Sequence, residues 1–87
     1  MELDKIRREI NNIDKEIVKL LEKRFNIVIE AGLYKRKNNL PIYDEERERQ
    51  VVESCINLLE DKKHSKCIDD IFFQIMRSCK DIQNDLK

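Results

Sequence analysis

From Leu3 to Lys37 nothing in the sequence stops a helix outright. The chain has one glycine and one proline, and Pro41 lies beyond this stretch. Leu3, Ile6, Ile10, Ile13, Ile17 and Leu20 recur every three or four residues, which lays one apolar stripe along one side of the helix. A helix of about 35 residues is about 50 Å long at 1.5 Å per residue. A compact chain of 87 residues has a radius of gyration near ~12 Å. The helix would project beyond such a body with its stripe in water. Two chains side by side cover the stripe. Length and pattern together predict an all-α, intertwined homodimer, in preference to a trimeric coil, because cations break the stripe halfway.

Those cations are Arg24 and Lys35, which continue the stripe together with Val28 and Ala31. They are eleven residues apart and fall within about 20° of each other in projection. A charge on a buried face is costly unless it meets an opposite charge. Either the protein holds its own buried ion pairs, or the missing partner is an anionic ligand.

Two further helices are expected. Gly32 is the weak point of the first, at about 1 kcal/mol against alanine, and its place beside the stripe suggests close packing against another backbone. Residues 38–43 read as a turn. Asp44 is a good N-cap for a second helix, with Glu45 and Glu46 at its positive end and Val51, Val52, Cys55, Leu58 and Leu59 on one face. Residues 62–65 read as the next connection, and Ile68, Ile71, Phe72, Ile75, Cys79, Ile82 and Leu86 as the packed face of a third helix. The expected architecture is one domain over residues 1–87, with one long N-terminal helix and two shorter ones.

Composition excludes several roles. Eighteen basic and 18 acidic residues, with no long single-sign run, argue against nucleic-acid or membrane-surface binding by bulk charge. No apolar run approaches the ~20 residues of a membrane helix. Charges at Lys5, Arg7, Arg8 and Glu9 leave no signal-peptide pattern, so a cytoplasmic protein is expected. The odd set Cys55, Cys67 and Cys79 lacks metal-type spacing and reads as reduced thiols.

Each helix carries polar residues on its apolar side: Arg24 and Lys35 on the first, Glu48 on the second with Arg47 at its edge, and Gln83 on the third beside Cys79 and Ile82. Arg7 flanks the stripe near the start of the first helix. Singly, each has a structural reading. Arg24 would snorkel or pair, Glu48 would pair with Arg24 or Lys35, Gln83 would be a solvated edge, and Arg47 part of a charged surface. His64 would be solvated and Tyr43 would pack. Jointly, they leave excess positive charge in the interior, suited to a small dianion, with Glu48 left for a hydroxyl. No nucleophile–base pair, Gly-rich phosphate loop or metal-ligand cluster is present in the sequence. An enzyme built from these residues works by positioning and electrostatics.

The run Ile6-Arg7-Arg8-Glu9-Ile10, then Ile13-Asp14, Leu20-Leu21-x-x-Arg24, Lys35, Pro41-Ile42-x-Asp44-x-x-Arg47-Glu48, and Ile75-Met76 followed by Gln83, resembles the all-helical chorismate mutases. The resemblance spans nearly the whole chain. It implies a three-helix chain intertwined as a homodimer, and rearrangement of chorismate to prephenate without cofactor or metal. It implies that Arg24 binds one substrate carboxylate and that Arg7, from the partner chain, binds the other. Lys35 would contact a carboxylate and the ether oxygen, and Gln83 that same oxygen. Glu48 would hold the ring hydroxyl, helped by Asp44 and the backbone near Arg47. Arg7 and Arg24 are 17 residues apart, about 25 Å along one helix, which a small ligand cannot span, but an antiparallel partner can bring its Arg7 near this chain's Arg24. Cys79 stands where the family often has serine, and a thiol is the weaker donor. The competing readings are an isochorismate–pyruvate lyase of the same fold, which lacks the Asp-x-x-Arg-Glu pattern, and a non-catalytic or regulatory dimerisation module.

Overall fold

The computed structural model describes residues 2–86. Among them there are three α-helices and no strand: α1 (Glu2–Lys37), α2 (Glu45–Asn57) and α3 (Ser65–Asn84). A short 3-10 turn, Lys62–His64, leads into α3.

The end of α1 is written in its side chains. Glu2 and Asp4 lie in its first turn and Lys35, Arg36 and Lys37 in its last, each sign matched to the helix dipole. Asn39 adopts a left-handed conformation with φ 55°. Its N–H donates to Arg36 O at 3.3 Å, and the Leu40 N–H donates to Lys35 O at 2.8 Å. This is a Schellman closure with asparagine in the place glycine usually takes. Pro41 then rules out continuation.

α2 starts as expected. Asp44 Oδ1 accepts the Arg47 N–H at 3.1 Å, and Asp44 O accepts the Glu48 N–H at 3.0 Å. Its far end is satisfied by Lys62, whose Nζ donates to the carbonyls of Ile56, Asn57 and Leu59 at 2.9, 3.0 and 2.8 Å. Asp61 caps the 3-10 turn through the Lys63 N–H at 3.0 Å.

α3 packs against both α1 and α2, which barely touch each other. Its buried line is Met76, Cys79 and Gln83, opposed by Gly32 of α1. Of the expected face of α3, Cys79 is buried and Ile68, Phe72, Ile75, Ile82 and Leu86 are half-buried. Ile71 is exposed in the single chain, and so is Leu58, which is the C-cap of α2 instead of a buried rung. Gly32 does sit at a close approach, but against side chains. A Cβ there would lie 2.7 Å from Leu86 Cδ1 and 2.9 Å from Gln83 Cγ.

The chain is elongated, 55 × 26 × 15 Å, with a radius of gyration of 16.0 Å. Leu3, Ile6, Ile10, Ile13, Ile17 and Leu20 are 47–66% exposed. The N-terminal half of the stripe therefore has no cover within one chain. Among the described residues no helix is long and apolar enough to cross a membrane.

Candidate active site

Where the stripe turns polar, it turns toward α3. The face Arg24, Val28, Ala31 and Lys35 of α1 lines a cavity of about 210 Å³ with Met76, Cys79, Lys80 and Gln83 of α3. The α1–α2 connection and α2 complete it through Ile42, Asp44, Arg47, Glu48 and Val51. Seven of the eight residues singled out in the sequence meet here. Arg7 does not line it, and is exposed near the other end of α1.

The two stripe cations are half-buried and held by neutral acceptors. Arg24 Nη1 donates to Cys79 Sγ at 2.9 Å, and Nη2 lies 3.9 Å from Met76 Sδ. Lys35 Nζ donates to Ile42 O at 3.1 Å. Among the described residues, neither forms an ion pair with a carboxylate. The contacts fix where each cation sits without offsetting its charge.

Gln83 is buried, not a solvated edge residue. Its Nε2 donates to Val28 O at 3.0 Å. A primary amide carries two N–H donors, so one stays free for a ligand. This carbonyl is reachable because Gly32, one turn further along α1, leaves room for Gln83 Cγ.

Glu48 does not pair with Arg24 or Lys35. Its partner is Lys80, with Nζ 3.3 Å from Oε2 and 3.4 Å from Oε1. Lys80 was not among the sequence candidates. Its signal was present: it lies four residues after Met76 and three before Gln83, on the face that lines the cavity. Lys80 Nζ also lies over the Tyr43 ring, 4.4 Å from its centroid. Tyr43 is exposed, so its role is this contact and not packing. Asp44 and Arg47 are exposed at the rim. His64 is exposed in its connection.

The lining holds four cations, Arg24, Lys35, Arg47 and Lys80, against two carboxylates, Asp44 and Glu48, a net charge of +2. Arg49 and Lys66 have their pKa values raised, the first chiefly by its hydrogen bond to Glu46 and the second by its hydrogen bond to Asp70. Neither lines this cavity.

A family profile described as chorismate mutase type II matches residues 6–84. The chain belongs to this family. Within the type II chorismate mutase match lie all eight candidate residues, Arg7 and Gln83 being the outermost. A bifunctional chorismate mutase/prephenate dehydratase of Aquifex aeolicus is 32% identical over 90 residues, covering 99% of this chain and 25% of that protein. A protein of the same description from Buchnera aphidicola subsp. Schizaphis graminum is 54% identical over 52 residues, covering 60% of this chain and 14% of its own. The T-protein of Haemophilus influenzae is 33% identical over 78 residues, covering 86% of this chain and 20% of that protein. The chain spans a quarter or less of these curated relatives.

Proposed function

We propose that residues 1–87 form one chorismate mutase domain, converting the dianion chorismate to prephenate in phenylalanine and tyrosine biosynthesis. The observation that carries this reading is the state of Arg24 and Lys35. Both are half-buried on one cavity wall, and both are held by neutral sulfur or carbonyl acceptors. A cation so held keeps its charge for an anionic ligand, and the lining's net +2 complements two carboxylates. Two of the relatives described above are named for a mutase joined to an activity that takes prephenate.

The rearrangement is intramolecular. The ether carbon–oxygen bond breaks ahead of carbon–carbon bond formation, so negative charge gathers on the ether oxygen. Lys35 and the free N–H of Gln83 are the donors for that oxygen. They stabilise the transition state more than the ground state. One preorganised donor of this kind contributes about 3–4 kcal/mol. Arg24 binds one carboxylate, oriented by Cys79 and Met76. Glu48, at the edge where Asp44 opens α2, accepts the ring hydroxyl, with the backbone near Arg47 beside it. The cations together hold the flexible substrate in its chair-like reactive shape.

The second carboxylate is assigned to Arg7 of an antiparallel partner chain. The uncovered stripe from Leu3 to Leu20 supports a homodimer intertwined along α1. Arg7 flanks that stripe and lies about 25 Å from Arg24 along the same helix, beyond the reach of one small ligand.

The test is incubation with chorismate, with prephenate and pyruvate measured separately. Prephenate equal to the chorismate consumed, without pyruvate, is the expected result. Pyruvate released in a parallel incubation with isochorismate would assign the lyase reaction, and no turnover of either compound by a folded protein would leave a non-catalytic module.

A further inference from the structure

We propose that Lys80 is a positioning residue that acts through Glu48, keeping the carboxylate turned into the substrate cavity; this rests on the rearrangement reading above. Glu48 stands on a dividing wall. With Met76 it lines the cavity described above and also a neighbouring groove bounded by Tyr43, Arg49, Val52 and Phe73. A glutamate on a helix can turn to either side. Arg49 borders the groove side, and Lys80 lines only the cavity side.

The geometry of Lys80 selects the cavity side. Its Nζ lies within 3.4 Å of both Glu48 oxygens, and the two side chains are only 31% and 25% exposed, so the pair is shielded more than a surface ion pair. Arg49 is already engaged by Glu46 at 2.6 Å and Glu53 at 3.2 Å, which weakens its claim on Glu48. Tyr43 holds Lys80 from the loop side, 4.4 Å below the ammonium. The neighbouring Ile42 carbonyl is gripped by Lys35. The α1–α2 connection is thus pinned from α1 by one lysine and from α3 by the other. Lys80 differs from Arg24 and Lys35 in one respect: its charge is already met by a carboxylate. It is therefore assigned to orient Glu48, and not to bind the dianion.

The experiment is a double-mutant cycle on the full chain, assayed with chorismate, with thermal midpoints recorded for every variant. Lys80→Met keeps length and removes charge. It is expected to raise KM about tenfold with kcat within about threefold, the pattern for binding lost equally from ground and transition states. Lys80→Arg should restore KM to within about threefold of the parent. In a Glu48→Gln background, Lys80→Met should add less than about twofold, because the group it positions is already altered. If Lys80→Met fails to fold, the cycle is run with Lys80→Gln, with the same expectation. Full additivity in the cycle, or no rescue by a folded Lys80→Arg, would overturn the inference while leaving the mutase reading intact. A parent that makes no prephenate removes both.

Discussion

Arg24 and Cys79, 55 residues apart in sequence, meet across the cavity, the guanidinium Nη1 donating to the thiol sulfur at 2.9 Å. The contact joins α1 to α3 at the point where the apolar stripe turns polar. It makes Cys79 an acceptor that aims a cation, and the intramolecular rearrangement proposed above calls for no nucleophile.

Cys79→Ser should therefore be nearly neutral. A hydroxyl oxygen accepts from a guanidinium at least as well as a thiol sulfur does. Turnover within about threefold of the parent is expected in steady-state assays. A loss above ~10²-fold in a folded variant would point to covalent chemistry at the sulfur, where removing a nucleophile has effects of that order or larger.

Lys35→Ala should cost far more activity than stability. Its ammonium is held by one backbone carbonyl, Ile42 O, and by no carboxylate among the described residues, so folding loses little with it. On the proposed mechanism the substitution removes the ammonium that would donate to the ether oxygen. A fall of at least ~10²-fold in kcat is expected, with a circular dichroism spectrum and melting midpoint close to the parent's. Activity within threefold would remove Lys35 from the chemistry.

Gln83→Glu should make both activity and stability depend on acid. The introduced carboxyl replaces a buried amide that donates to Val28 O. Burial raises the pKa of a carboxyl above its unfolded value. When protonated it can donate to a carbonyl or to the ether oxygen; when ionised it repels both. A folded-state pKa above the unfolded one means that the stability is present at low pH and lost as pH rises through the folded value. The measurements are pH–rate and pH–melting profiles between pH 5 and 8, both expected to fall with rising pH. Profiles parallel to the parent's would place Gln83 outside the site.

Gly32→Ala tests the cavity's geometry from behind. Alanine favours the helix by about 1 kcal/mol, while forcing a methyl into a packed place costs about 1–3 kcal/mol. The new Cβ would meet Leu86 Cδ1 at 2.7 Å, the far end of a side chain that can turn away, and Gln83 Cγ at 2.9 Å, in a side chain held by its bond to Val28 O. The net cost is about 0–2 kcal/mol, and Gln83 is pushed from its carbonyl. A drop of about tenfold or more in kcat, measured at a temperature where the variant is still fully folded, is the expected result. Unchanged kcat would mean that Gln83 needs no fixed place.

The long helix was legible because only Gly32 weakens it before Asn38, and α2 because Asp44 carries its own capping chemistry. Of the candidate residues that meet at the cavity, Arg24, Lys35, Glu48 and Gln83 were legible because polar side chains on apolar stripes stand out, with Arg47 at the edge of one; Asp44 was legible as a cap, and Cys79 only through the family resemblance. The buried line of α3 was less so. Ile71 is apolar yet exposed in the single chain, and periodicity alone cannot tell a face packed within the chain from one turned outward. Lys80 was missed because a lysine among Arg77, Ser78 and Asp81 looks like solvated surface. Its partner, Glu48, is 32 residues away, and only the packing of α2 on α3 brings the two together. Periodicity offers Arg24 and Lys35 as partners for Glu48, but those cations rest on a thiol and a carbonyl.

The most direct test of the shared site is subunit mixing. Arg7→Ala and Lys35→Ala homodimers should each be nearly inactive. Unfolded together in equal amounts and refolded, about half the dimers should be mixed if pairing across a two-fold interface is random. In a mixed dimer one site carries both lesions. The other joins the intact Arg7 of one chain to the intact Lys35 of its partner. The account predicts recovery of roughly a quarter of the parent's chorismate-to-prephenate activity, from half the dimers with one good site each. If Arg7 and Lys35 served one site within a single chain, every chain would keep its lesion, and recovery no greater than the sum of the two inactive homodimers would contradict the shared site.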